Sequence, residues 1–370
     1  MFYEDEALPD FVHNFGETKS KLHNIPNFAF EIAAERPPCR VISKVPCEFL
    51  LNQEITQKME TPVVYFYSDK AQPVRFDVWF PGGVISQSYP APLVSLPKAV
   101  PGVELKNGFA RYDLNILKDS NLTPPAVSPQ DIYSHARNTK ADLVQSGSEV
   151  EKFIFYRGLG EFKTKLKTTS QAGQLQLRNV GSDTIPAAFV IYTDGAQRGA
   201  LIPLGALAVG KTANIEAQAI AQLKATNESQ AVFLKQARTQ LLNALTAAGL
   251  YHDEAVSMVD TWEHGYFKTP GLRVLYVLGN HEVESILPIQ VTPQPEELHR
   301  VFVGRIEVLL DSQEEQILNE VLHKGRQYDV ARLGRMAHPI LSRIREVAKT
   351  KGLLSEDLSA TIDALIAQIR

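Results

Sequence analysis

The spacing of apolar positions changes along the chain, and the change divides strand-like from helix-like stretches. In "PVRFDVWFP" (73–81), Val74, Phe76, Val78 and Phe80 alternate with Arg75, Asp77 and Trp79, the period of a strand with one buried face. "TPVVYFYS" (61–68) is aromatic and β-branched, and "DKAQ" between the two supplies a turn. "ELKNGFARYDLNIL" (104–117) carries Asn107-Gly108, a strong hairpin signal. Residues 118–150 form a connection rich in Ser, Thr, Asn and Pro, with a short helix near "QDIYSHARNT". The β pattern resumes at "VEKFIFYRG" (150–158) and at "GQLQLRNVGSDTIPAAFVIYT" (173–193). Short strands at this spacing argue for a sandwich or open barrel and against alternating β-α-β units.

Past residue 226 the period becomes helical. "SQAVFLKQARTQLLNALTAAG" (229–249) sets Val232, Ala237, Leu241, Leu245 and Ala248 on one stripe and stops at Gly249. "YHDEAVSMVDTWEHG" (251–265) predicts a second helix with Ala255, Met258, Val259 and Trp262 as its apolar face. Asp253, Ser257, Asp260 and His264 then share the solvated face. Strands follow at 272–278 and 300–309, separated by the Pro-rich "VTPQPEE", and 312–370 reads as helix interrupted at Gly325, Pro339 and Gly352. The expected class is α+β. It comprises an N-terminal arm (1–38), a β-rich sandwich-like domain (39–225), a mixed α/β region (226–310) and a helical C-terminal segment (311–370).

Composition narrows the function classes more than the fold. The 370 residues are 44% hydrophobic and 22% charged, an ordinary globular balance with length for two or three cores. The formal net charge of -4 gives no global basic field, so no nucleic-acid partner is expected. Residues 324–351 are locally basic, with eight Lys/Arg against Asp329 and Glu346. Interleaved Val330, Leu333, Ile340, Ile344 and Val347 mark that run as an amphipathic helix docking on its own domain. No uninterrupted apolar window approaches about 18 residues, so no membrane span is expected. "MFYEDEALPDF" lacks the basic and apolar regions of a secretory signal. The expectation is a soluble chain of undetermined compartment. The two cysteines, Cys39 and Cys47, suit neither a zinc ribbon nor a Cys-x-x-Cys pair, although antiparallel strands through "CRVISKVPC" would bring them within disulfide reach.

Four stretches carry candidate chemistry. "LRVLYVLGNHEVES" (272–285) runs a strand into Gly-Asn-His-Glu, where metal-dependent phosphoesterases hold an Asn and a His. The carboxylates that bridge two metals are missing upstream, because "YDLNILKD" and "GSDTIP" have the wrong spacing. The plainer reading is a turn in which Gly279-Asn280 takes a left-handed backbone and Glu282 opens a short helix. "GALAVGKT" (205–212) fits the phosphate-loop pattern through Gly205, Gly210, Lys211 and Thr212, with "NIEAQAIAQL" as a following helix. Its apolar interior and hairpin-like approach favour a β-turn at Gly210-Lys211. "DTWEH" (260–264) offers Asp260, Glu263 and His264, which with His281 could hold a divalent metal; scattered surface histidines are the plainer reading. In "FYRGLG" (155–160), Arg157 ends an aromatic strand, where it anchors a buried carboxylate or meets a ligand; Tyr156, Arg157 and Trp262 are the binding candidates.

"KMETPVVYFYSD" (58–69), "EKFIFYRGLGEF" (151–162), "GLYHDEAVSMVDTW" (249–262) and "RVFVGRIEVLL" (300–310) together resemble a group of uncharacterised bacterial proteins. The resemblance spans roughly residues 58–310 in the same order. It implies one shared architecture and brings no activity, substrate or catalytic residue; members of the group often look exported. The leading expectation is a non-enzymatic binding or scaffold protein that presents a β-rich surface to a protein or glycan partner, with no cofactor. One alternative is a metal-dependent hydrolase built on residues 252–282, and the other is nucleotide binding through 205–212.

Overall fold

The computed structural model describes residues 8–15, 57–59, 63–96, 107–160 and 162–368. Cys39, Cys47 and most of the expected N-terminal arm lie outside the described residues. The strand-rich half contains β1 (His13–Asn14), β2 (Gln57–Met59), β3 (Val63–Tyr65), β4 (Gln72–Phe80), β5 (Val84–Tyr89), β6 (Val94–Leu96), β7 (Gly108–Leu117) and a short helix α1 (Ile132–His135). It continues with β8 (Leu143–Ser146), β9 (Glu149–Glu151), β10 (Phe153–Gly160), β11 (Leu166–Gln171), β12 (Gln174–Asn179), β13 (Ile185–Thr193), β14 (Gly199–Leu207) and β15 (Thr212–Ile215). Then come α2 (Ala217–Lys224), α3 (Gln230–Ala247) and α4 (His252–Glu263), which runs on as a π-helical turn, His264–Lys268. β16 (Gly271–Leu278), α5 (Asn280–Ile286), β17 (Ile289–Thr292) and β18 (Phe302–Val308) lead to α6 (Asp311–Lys324), α7 (Ala337–Thr350) and α8 (Glu356–Ala367). The class is α+β, strand-rich toward the N-terminus and helical at the C-terminal end.

Among the described residues, every strand pairing is antiparallel. One sheet has the order β1-β5-β10-β2, with β3 also on β10; a second is β17-β4-β7-β8-β9, with β6 on β7. A third is β11-β12-β15, and the fourth is β14-β13-β16-β18. The expected boundary at 225/226 is therefore crossed twice. β13 and β14 share a sheet with β16 and β18, and β17 lies beside β4. The helical run that begins after residue 226 is a connection within one sheet, not the start of a separate unit.

The physical reason is the burial of β16 on both faces. Leu272, Val274, Tyr276 and Leu278 join one core with Val74, Phe76, Val78 and Phe80 of β4 and Tyr112 and Leu114 of β7. Leu275 and Val277 join a second core with Phe189 and Ile191 of β13, Phe233, Ala237, Leu241 and Leu245 of α3, and Ala255, Val259 and Trp262 of α4. The alternation read in β4 holds, because Val74, Phe76, Val78 and Phe80 are all buried.

Several local expectations shift by one contact. Phe233 takes the place expected for Val232, which is 48% exposed, since the buried stripe of α3 runs 233, 237, 241, 245. Gly199 leaves the room: a Cβ there would strike the Phe233 ring. Ser257 is buried, not solvated, because α1 packs on α4 and the Ser257 hydroxyl donates to His135 O at 2.8 Å. Asn107-Gly108 is not a two-residue hairpin turn. Gly108 starts β7 opposite Phe80, and a Cβ on it would lie 3.0 Å from Gly83 O. Pro339 does not interrupt a helix either: it sits in the first turn of α7, where its missing N–H has no intrahelical acceptor to lose.

Helices α6 to α8 close a core of their own around Leu318, Val321, Leu341, Ile344, Ile362 and Leu365. Five of the eight cations of the basic run meet acids, Lys324 within its own helix and the other four across elements. Lys324 and Arg332 meet Glu320, Arg343 meets Glu314, Arg345 meets Asp363, and Lys351 meets Glu315.

Gly304 of β18 faces Tyr276 in register, and a Cβ there would overlap the tyrosine ring. Gly304→Ala is expected to lower the unfolding free energy by about 1–3 kcal/mol through overpacking. Chemical denaturation checks this, and a change under about 0.5 kcal/mol, the range of an ordinary surface substitution, would contradict the close approach.

Candidate functional site

The Gly-Asn-His-Glu stretch opens α5, and each of its side chains already has a partner. Gly279 is the N-cap with φ −95, so the expected left-handed backbone is replaced by an extended one. Asn280 Nδ2 donates to Leu298 O at 2.8 Å while its Oδ1 accepts from Arg300 N, which fastens 298–300 to the helix start. His281 is 71% exposed in its side chain, with Nδ1 2.9 Å from Asp183 Oδ2. Glu282 is buried and accepts from Ser182 N, Ser182 Oγ and Asp183 N, with Lys165 Nζ 2.9 Å away. Burial alone would raise its pKa; Lys165 and the two amides outweigh that and bring it down to about 2. Gly181 is glycine for the same reason, because a Cβ there would overlap the Glu282 carboxylate.

The other metal candidates point elsewhere. Asp260 and Glu263 both bind Arg238 of α3, and Glu263 also meets Lys268 at 2.6 Å. Burial opposes ionisation of Glu263, but Lys268 and Arg238 hold its pKa below the usual range. His264 is exposed at the end of α4, and His281 pairs with Asp183 on α5's flank. Among the described residues, no group of three or more His, Cys, Asp or Glu gathers to hold a metal ion.

The "GALAVGKT" segment lies in a strand-turn-strand. Gly205 (φ +66) is within β14, Gly210 (φ +72) is at the turn, and Thr212 begins β15. Gly210 N donates to Asn179 O at 3.1 Å and Lys211 N to Ala208 O at 3.0 Å. A phosphate loop needs such N–H groups turned inward on an anion ahead of a helix; here protein carbonyls take these two, and α2 begins only after β15.

Tyr156, Arg157 and Trp262 are brought together, since all three line one cleft of about 1220 Å³. β3 and the residues after it, β10, α4, β16, β18 and the 293–301 segment supply its walls. At its rim Tyr67 and Tyr251 are 41% and 55% exposed, with ring centroids 5.1 Å apart in an edge-to-face pair. The Tyr67 hydroxyl donates to Glu254 Oε1 at 2.9 Å, and the Tyr65 hydroxyl to Ala136 O at 2.8 Å. Trp262 stacks on Tyr266 at 6.0 Å. The Arg157 guanidinium stands 5.8 Å from the Phe155 ring centroid.

On the cleft floor, Tyr156 and Tyr276 are 2% and 3% exposed, and neither makes a side-chain hydrogen bond among the described residues. Burial raises both phenols, Tyr276 to about 12 and Tyr156 further, despite the nearby charge of Arg300. Arg300 itself donates to Leu287 O at 2.5 Å and pairs with Glu284. Tyr67, Tyr251, Tyr276 and Arg300 were not singled out in the sequence. The available signal was a hydroxyl-bearing residue inside the apolar run "VLYVL" and the i,i+2 spacing of Tyr65 and Tyr67, although β3 ends at Tyr65.

No protein-family model, curated protein or solved structure matches the chain, so the functional reading rests on this geometry. Among the described residues, no helix is long and apolar enough to cross a membrane.

The depressed pKa of Glu282 stabilises the fold above the range of a free carboxylate, and that contribution is lost as pH falls toward about 2. Its size is on the order of 3 kcal/mol. Glu282→Gln is expected to lower the melting temperature at neutral pH and to flatten the loss of stability between about pH 5 and 2. Thermal melts across that range check it, and identical pH profiles for the two proteins would refute it.

Proposed function

We propose that this protein is a non-enzymatic binding protein whose cleft, lined by Tyr156, Arg157 and Trp262, receives a protein or glycan partner. The cleft itself carries this reading. Ligand sites are concave and mostly apolar or aromatic, with a few placed polar groups, and this one combines aromatic walls with tyrosine hydroxyls and ion-paired cations. Its volume of about 1220 Å³ is above the roughly 300–1,000 Å³ of small-molecule pockets, which suits a segment of an extended chain. The phenols of Tyr156 and Tyr276 are both protonated at neutral pH and can donate hydrogen bonds to a ligand.

Trp262 supplies the readout, because Trp79 is the other tryptophan and does not line the cleft. Soluble oligosaccharides and unstructured peptides titrated into the protein are expected to include a ligand that changes tryptophan emission. Trp262→Phe should remove that change, and Tyr67→Ala should weaken binding roughly fivefold or more at an unaltered melting temperature. A ligand that binds both variants as tightly as the wild type would place recognition outside the cleft and overturn the proposal.

A further inference from the structure

We infer that the chain the cleft receives is a neutral carbohydrate, seated with sugar faces on Tyr67 and Tyr251 and sugar hydroxyls on the phenols of Tyr156 and Tyr276. This rests on the binding reading above and goes further by naming the ligand class. Three observations converge on it.

The first is charge. Six Lys/Arg and five Asp/Glu line the cleft, and three of the six cations are ion-paired in place. Lys118 meets Asp142 at 2.5 Å, Arg305 meets Glu307 at 2.5 Å, and Arg300 meets Glu284. A polyanion draws its affinity from unpaired Lys and Arg that displace counterions, and the cations of the lining exceed its acids by only one.

The second is the rim. Tyr67 and Tyr251 are large aromatic side chains left exposed side by side, and the bond from Tyr67 to Glu254 fixes the ring before any ligand arrives. A pyranose presents a C–H face flanked by hydroxyls, which matches an aromatic plane with polar groups at its edge. Fixing that plane in advance lowers the ordering cost of binding.

The third is the floor. The Tyr156 and Tyr276 side chains are more than nine-tenths buried, and their hydroxyls lack a hydrogen-bond partner among the described residues. Neither hydroxyl is sealed from solvent, so both open onto the cleft. A ligand dense in hydroxyls that can both donate and accept engages them at two points. A peptide adding to the outer edge of β18, which has no strand partner among the described residues and borders the cleft, would pair through its backbone and leave both phenols unengaged.

The test titrates the full chain with neutral gluco-, xylo- and manno-hexasaccharides, an oligogalacturonate as the anionic control, and soluble extended peptides, followed by tryptophan emission and calorimetry. At least one neutral hexasaccharide is expected to bind saturably. Tyr156→Phe and Tyr276→Phe, which keep the ring, are each expected to weaken it roughly 3- to 10-fold without lowering the melting temperature. Binding of peptides alone, or of the anionic sugar alone, overturns the carbohydrate inference and leaves the binding function standing. Binding of none of the three classes overturns both.

Discussion

Burial of β16 on both faces is the constraint from which the rest of the arrangement follows. A strand that reads Leu-Arg-Val-Leu-Tyr-Val-Leu cannot leave either side to water, so one face needs the strand layers of β4 and β7 and the other needs α3 and α4. Two residues depart from its apolar pattern, and each has a distinct task. Arg273, fully buried, donates to Tyr266 O and Thr269 O and pairs with Glu307, which ties the π-helical turn after α4 to the sheet. Tyr276, on the opposite face, reaches the cleft. These polar exceptions mark where the strand is anchored to the π-helical turn and where it borders the cleft.

The Gly-Asn-His-Glu stretch takes its meaning from that cleft. Asn280 grips the backbone on both sides of residue 299, and Arg300 then stands among the lining residues beside Tyr156. Glu282 fixes the start of the same helix to the 181–183 turn. The residues that resemble a metal-dependent catalytic pair thus hold a wall of the cleft in place.

What could be read from the sequence was what local spacing determines. The alternation of Val74 to Phe80, the helices α3 and α4, and the strands expected at 272–278 and 300–309 and found at 271–278 and 302–308 are set by neighbours within a few residues. The misplaced details all depend on distant partners. Phe233 turns inward because Gly199 faces it, Ser257 is buried because α1 packs on it, and the 225/226 boundary dissolves because Phe189 pairs with Leu275. In the candidate site, Tyr156 and Arg157 stood out on an aromatic strand and Trp262 on a helix's apolar face; Arg157, expected at the strand's end, lies inside β10. Tyr67, Tyr251 and Tyr276 did not, since only the tertiary fold brings them to one cleft.

The seat of β17 beside β4 has a bearing on how this architecture can be divided. A fragment ending at residue 225 would lose β16, β17 and β18 together, leaving the nine residues of β4 with an unpaired edge and β13 with one side open. Such edges recruit other chains. The strand-rich half and the helix-bearing middle therefore depend on each other for their sheets, whereas α6 to α8 enclose a core of their own.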